Sequence, residues 1–509
     1  MHHLMESVLE LIAETSANLP VDVRASLQRA LEREQPNTPS AFALMLIAEN
    51  VNKAEQHRAP ICQDTGVPTF YVFCPHGADT MMIQNAIHKA VIKATKMGLL
   101  RPNSVDPLTG ANSGTNVGMG MPIVHFEFEP PTECDDLQIV LMLKGGGSDN
   151  QTRQYSLPCQ LGNFGIAERD MDGVRKCILH TVHEAQGYGC SPGFLGVCIG
   201  GDRASSYEFA KRQLLRDVND ANLNQKLAAL EREVLESANQ LGIGAMGLGG
   251  NSTILGCKIG MLHRHPACYF VTVTYMCWAY RRMGIVIDHT TGNIKRWLYR
   301  ESEPAQLSVV ERARVADRVI RLTTPLSEDD VRKLRVGDVV LLDGVIYTGR
   351  DMLHKYLVDH DPPISLHGAV TYHCGPIAIR ESGQWVIKAA GPTTSIREEP
   401  YQADIIAKHG VRAVIGKGGM GERTQRALRK YGAVYLHAIG GAAQIYAESI
   451  VEVLNVWSLE EFGIPEAMWQ LRVSDFKAIV TMDAHGTSLH HQIHNISQSR
   501  LKKLAGEKS

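Results

Sequence analysis

Residues 401–439 read YQADIIAKHGVRAVIGKGGMGERTQRALRKYGAVYLHAI. A helical pattern over 401–409 gives way to an apolar run at Val411–Ile415 and then to a glycine turn. A second helical pattern over 422–431 leads into another strand-like run, Ala433–Ile439. This alternation predicts a compact α/β domain. Upstream, the apolar run Asp338–Tyr347 ends in Thr-Gly-Arg, and Ala369–Tyr372 is a further strand candidate, so the domain is taken as 326–509. Residues 288–325 are charged and polar with Arg-rich helical pieces (VVERARVADRVIRL), the composition of a connector. Residues 1–287 mix helical patterns (80–100, 225–241) with glycine-rich turns at 114–120, 144–148, 197–201 and 242–250, which predicts a mixed α+β N-terminal domain. Two domains with a cleft between them is the expected architecture.

Of 509 residues, 44% are hydrophobic and 21% charged, which is enough apolar content for a large core. Lys+Arg (52) balances Asp+Glu (54), which argues against nucleic acid or an anionic membrane as the main partner. The start has no basic segment, and Glu6, Glu10 and Glu14 interrupt its apolar positions, unlike a secretory signal. The longest strongly apolar stretch, Cys268–Ala279, falls short of the roughly 20 residues a membrane helix needs. A soluble, cytoplasmic protein is expected. Its eleven cysteines include no Cys-x-x-Cys pair, which disfavours zinc ribbons, thioredoxin-type sites and ferredoxin-type runs. A metal cluster would have to draw its ligands from distant segments.

Four features could carry chemistry. Pro60–Gly66 (PICQDTG) sets a thiol, an amide and a carboxyl in one turn-forming segment. Gly187–Gly193 (GYGCSPG) puts Cys190 on irregular backbone where a thiolate can reach a metal, whereas Cys198 lies in a core-like strand. Leu262–Cys268 (LHRHPAC) leads on to Cys277-Trp278-Ala279. Spacing does not choose between Cys268 and Cys277, and zinc held by His263, His265 and a cysteine is a competing reading. Finally, Gly349-Arg350-Asp351, Gly391–Arg397 and Gly416–Gly421 each set a cation beside a glycine turn, a pattern suited to an anion with more than one charged group.

Read together, these segments resemble the class I, iron–sulfur-dependent fumarate hydratases and the related L-tartrate dehydratases, in single-chain form. The resemblance rests on ICQDTG (61–66), NSGTN (112–116), KGGGS (144–148), RHPA…CWA (264–279), TGRD (348–351), GPTT…R (391–397) and GKGG (416–419), all in the family's order. It implies a cluster-binding N-terminal domain, a smaller swivelling-type C-terminal domain and a homodimer. It also implies a [4Fe–4S] cluster on Cys62, Cys190 and Cys277. Three ligands in place of four would leave one iron open as a Lewis acid. The implied activity is reversible hydration of fumarate to (S)-malate, with L-tartrate or mesaconate as alternative substrates. A non-catalytic, oxygen-sensing iron–sulfur protein is a further alternative. The family pattern puts Gln63, Arg101, Gly146, Arg350, Arg397 and Lys417 on the substrate. It assigns proton transfer to Asp64 and Thr393, with His265 nearby.

Overall fold

The computed structural model describes residues 3–75, 77–127, 136–288, 290–301, 306–308 and 319–504. In the second half of the chain the decisive stretch folds as its pattern predicts. Helix Glu399–His409 stops at Gly410 and helix Glu422–Tyr431 at Gly432, both glycines in the left-handed conformation that ends helices without a Cβ penalty. Strands Val319–Thr323, Val339–Thr348, Val370–Tyr372, Ala413–Gly416 and Val434–His437 lie side by side, each parallel to the next. The 15-residue strand Met468–Met482 returns antiparallel. It pairs with Val434–His437 near its end and with Val339–Thr348 over most of its length, so it joins both sides and closes five strands into a ring. Val319–Thr323 and Ile450–Trp457 lie outside this ring as the two edge strands of the sheet. Strand Ile450–Trp457 lies on its outer flank.

Two sheets form the first half. In one the order is Ile294–Leu298, Arg281–Ile287, Leu137–Lys144, Val67–Phe73, Ile123–Glu127. Helices Leu4–Ala17 and Thr80–Lys96 pack against each other beside it, sharing a core with Phe70, Leu141 and Ile285. In the other the order is Arg153–Ser156, Phe270–Met276, Gly193–Gly200, Ile254–Leu262. Helices Met171–Ala185, Arg203–Gln213 and Gln225–Gln240 cover this second sheet. Its middle strands Gly193–Gly200 and Phe270–Met276 are buried along their whole length.

Both ends of the expected connector are strands, Ile294–Leu298 and Val319–Thr323. Val319–Leu322, read as helical, instead extend alongside Val339–Leu342, where sheet pairing overrides local propensity. Residues 309–318 of that motif lie outside the described residues. The largest apolar core is continuous across both halves, running from Phe42 and Ile47 through Trp278 to Trp469 and Ile479. The C-terminal helix Leu489–Leu504 packs back on Met171–Ala185, and Gln186 Nε2 donates to Ser497 Oγ at 3.1 Å. Among the described residues no helix is long and apolar enough to cross a membrane.

Candidate active site

A cavity of about 510 Å³ opens where the two halves meet, a volume suited to a small ligand. Gln63, Asp64 and Gly66 of the segment 60–66 line it, and buried polar staples hold that segment. Asn50 Nδ2 donates to Ile61 O at 3.0 Å, Asn50 Oδ1 accepts from Gln444 N at 2.8 Å, and Gln444 Nε2 donates to Pro60 O at 2.8 Å. Gln63 Nε2 donates to Pro392 O at 3.1 Å, and the Cys62 thiol lies 3.5 Å from Gln63 Oε1. A Cβ on residue 391 would sit 2.2 Å from that same Oε1, so only glycine lets the two halves approach this closely.

Asp64 faces the cavity with Oδ1 accepting from Gly66 N at 3.2 Å and from Arg101 Nη2 at 3.3 Å, while Gly147 N points at Oδ2 from 3.5 Å. Burial alone would raise its pKa. The charges of Arg101, Lys417 and Arg281 and the Gly66 N–H reverse this and hold the carboxyl at about 2. Arg101 is itself clamped, Nε to Asn103 Oδ1 at 2.7 Å and Nη1 across the seam to Gly375 O at 3.1 Å.

From the second half, Thr393 N donates to His373 O at 2.7 Å, and Lys417 N donates to Thr393 O at 3.3 Å. The two glycine loops thereby become one wall. Arg397 Nη2 donates to Thr393 Oγ1 at 2.7 Å, and Arg350 pairs with Glu466 at 3.2 Å. Gln63, Asp64, Arg101, Gly146, Arg350, Thr393, Arg397 and Lys417 all line the one cavity, beside Asn103, Asn112, Asn150 and Gln151.

Behind this wall sit three buried thiols. Cys190 takes a left-handed backbone (φ +55°), rare for a residue with a Cβ, and its Sγ lies 2.8 Å from Lys417 Nζ. Trp278 N donates to Cys190 O at 3.3 Å and Trp278 Nε1 to Gly440 O at 2.8 Å, which brings Cys277 alongside. Burial pushes the Cys62 and Cys277 thiols up, Cys277 to about 12. The charges of Cys62, Cys190 and Cys277 all act on Lys417.

These residues fit an iron–sulfur cluster on three counts. The thiols are mutually close and sheltered from solvent. Gly440 leaves open a space where a Cβ would lie 2.5 Å from Cys190 Sγ. The fully buried Arg281 donates to Asp64 O at 2.8 Å yet has an Nη1 with no partner, a cation waiting for negative charge. Among the described residues no three His, Cys, Asp or Glu side chains converge as on a single metal ion. Thiols around a polynuclear cluster stand further apart, with irons and sulfides between them.

The two histidines lie outside this cavity. His263 and His265 lie exposed in the turn between strands Ile254–Leu262 and Phe270–Met276, and neither lines the cavity. The turn is held by its own backbone, Ala267 N donating to His265 Nδ1 at 3.1 Å, and it points into solvent. This removes His265 from the cavity wall formed by this chain, and the zinc reading with it. Cys268 sits in the same turn, and Cys198 is buried inside its strand. Two cations escaped sequence reading, Arg281 and Lys144. Lys144 lines the cavity and is brought down to about 8 by burial, although Asp149 at 2.6 Å opposes this. Both stand at the end of an otherwise largely apolar strand.

The sequence pattern described as Fumarate hydratase (Fumerase) matches residues 5–286, more than half the chain, and that described as Fumarase C-terminus matches 292–493. The chain belongs to the fumarate hydratase family. One relative in Geobacillus stearothermophilus, named provisionally as a class I fumarate hydratase, is 54% identical over 99% of this chain and 98% of its own length. A Methanocaldococcus jannaschii protein, named provisionally as an L(+)-tartrate dehydratase alpha subunit, is 36% identical over 55% of this chain and 95% of its own length. The L(+)-tartrate dehydratase beta subunit of Escherichia coli K12 is 38% identical over 33% of this chain and 85% of its own length. Within the fumarate hydratase family, then, the chain is similar to a one-piece relative along its length and to two-subunit relatives in its separate halves.

Proposed function

We propose that this chain is a class I fumarate hydratase, a hydro-lyase that interconverts fumarate and (S)-malate in the cavity between its halves. One observation carries the reading. Arg101, Arg350, Arg397 and Lys417 converge on a single small cavity that abuts three buried thiols. A dianion meets four cations there, and the surplus favours the additional negative charge that develops as a proton leaves carbon. An oxygen sensor has no use for such a surround.

Cys62, Cys190 and Cys277 would hold a [4Fe–4S] cluster, which when bound supplies a Lewis acid for the substrate hydroxyl and one carboxylate. The chain's own groups do the rest. Arg350 and Arg397 offer forked donors to a carboxylate, and Gln63 and Arg101 orient the other end. Asp64, held well below the ordinary carboxyl range by Arg101, Lys417 and Arg281, fixes Arg101 and balances its charge as a carboxylate. Thr393 Oγ1, as the alkoxide, takes the carbon-bound proton in the malate-to-fumarate direction, becomes the hydroxyl and releases that proton to solvent before the next turnover. Its hydroxyl is far too weak a base alone, and the Arg397 guanidinium at 2.7 Å stabilises its deprotonated form. The seven-stranded unit is read as the swivelling-type domain that brings its Arg and Lys loops to the substrate. The assembly is read as a cytoplasmic homodimer on the precedent of the family.

Asn103, Asn112, Asn150 and Gln151 on the cavity wall give a specific reason to keep L-tartrate as a second substrate, since they can hydrogen-bond one more hydroxyl. The test is anaerobic reconstitution with iron and sulfide, followed by turnover on fumarate, L-tartrate and mesaconate in parallel. Fumarate is expected to give the highest kcat/KM. No turnover on any of the three overturns the reading.

A further inference from the structure

Beneath the Arg397 loop lies a pair of carboxyl groups that the reaction as described does not use. Glu398 is fully buried, and neither of its carboxyl oxygens has a hydrogen-bond donor; Asp351 Oδ1 is buried in the same condition. The two side chains lie within hydrogen-bond reach of each other. Two ionised carboxylates are acceptors only and repel at that range, so the arrangement requires a proton between them. The other oxygen of Asp351 leads to the active site. Asp351 Oδ2 pairs with Arg397 Nη1 at 3.5 Å, and Arg397 Nη2 donates to Thr393 Oγ1 at 2.7 Å.

We propose that Glu398 is a positioning residue: it carries the shared proton and, by donating to Asp351 Oδ1, holds Asp351 against Arg397 and thereby Arg397 against Thr393. One shared proton leaves the pair a single negative charge, in place of two, to set against Arg397. Glu398 faces Arg350 and Asp351 from the start of helix Asp351–Asp359, its neighbour Arg397, and Tyr435 from strand Val434–His437. Burial raises its pKa well above the ordinary carboxyl range, Asp351 adds to the rise and Arg397 opposes it. The role of Thr393 in this inference rests on the proposed function; the protonation of Glu398 does not.

The experiment has two arms. Infrared spectra of the protein without substrate, at neutral pH, should contain a protonated carboxylic-acid carbonyl band that Glu398→Gln removes. In steady-state kinetics of the reconstituted enzyme, Glu398→Gln keeps a donor for Asp351 and should lower kcat by less than about 3-fold, whereas Glu398→Ala should lower it about 10- to 100-fold with a smaller change in KM. The wild type should also lose kcat at alkaline pH as Glu398 ionises, and Glu398→Gln should lack that limb. An unchanged infrared spectrum, or a Gln variant as damaged as the Ala variant, overturns the proposal. Should Glu398→Ala fail to fold, the Gln variant's spectrum and pH profile still decide. A wild type that turns over none of the dicarboxylates would sink the proposed function, with the infrared arm still deciding the protonation of Glu398.

Discussion

Replacing Gly440 by alanine tests the thiol site with one methyl group. Gly440 does not use the left-handed backbone, so the chain itself tolerates a Cβ there. The side chains do not. The added carbon would lie 2.5 Å from Cys190 Sγ and 2.7 Å from Lys417 Cδ, where ordinary contact begins at 3.4 Å. If the sulfur yields, it must move by 3.4 − 2.5 = 0.9 Å. Metal–ligand distances hold to within about 0.2 Å, so a shift of that size takes the thiolate out of bonding range. Overpacking of this kind costs the fold about 1–3 kcal/mol, which leaves a protein of this size folded. Gly440→Ala should therefore yield a folded apoprotein with a modestly lowered Tm. After anaerobic reconstitution, that protein should retain far less iron and acid-labile sulfide per chain than wild type. Wild-type iron content with full hydratase activity would refute the assignment of Cys190 to the site.

Cys62→Ser, Cys190→Ser and Cys277→Ser should each abolish the brown absorbance and turnover after reconstitution, while Cys198→Ser and Cys268→Ser keep both. Arg397→Lys replaces a planar fork by a point charge and should lower kcat/KM about 10- to 100-fold with little change in Tm, as steady-state kinetics and thermal melting will read. The carboxyl of Asp64 is held below its unfolded value, so its stabilising effect is fully present above about pH 4 and drains away as pH falls towards 2. Denaturation of wild type against Asp64→Asn should give a stability difference that is flat between pH 5 and 8 and narrows below about 4.

The elements between residues 399 and 437 were legible because each local cue agreed with the final fold. Helical apolar spacing, glycine stops and strand runs buried on both faces all pointed one way. The closing strand Met468–Met482 was not legible. It divides its pairing among three partners, shifts register along the way, and turns Arg472, Ser474 and Asp475 to solvent. No single periodicity describes such a strand. In the site, Asp64, Gln63, Arg101 and the three cation loops meet at one cavity. Spacing could not have found the three thiols, which stand 128 and 87 residues apart (190 − 62 and 277 − 190). Arg281 and Glu398 escaped because adjacent charges (Arg281-Arg282, Arg397-Glu398-Glu399) read as surface, and their burial comes only from tertiary packing. His265 lies on an exposed turn away from the cavity wall this chain forms, a placement that the His-Arg-His-Pro run alone does not reveal.

The seam through the cavity bears on how such a protein can be divided. Lys417 touches Cys190, Trp278 reaches Gly440, and Arg101 reaches Gly375, each from the opposite half. A break between residues 301 and 319 would leave two fragments, each bearing an unfinished pocket and a bare apolar wall. Two such fragments would have to find each other from solution and be made in equal numbers. Here the peptide linkage keeps each half at an effective concentration of about millimolar beside its mate. Dilution or unequal synthesis therefore cannot strand one half without the other.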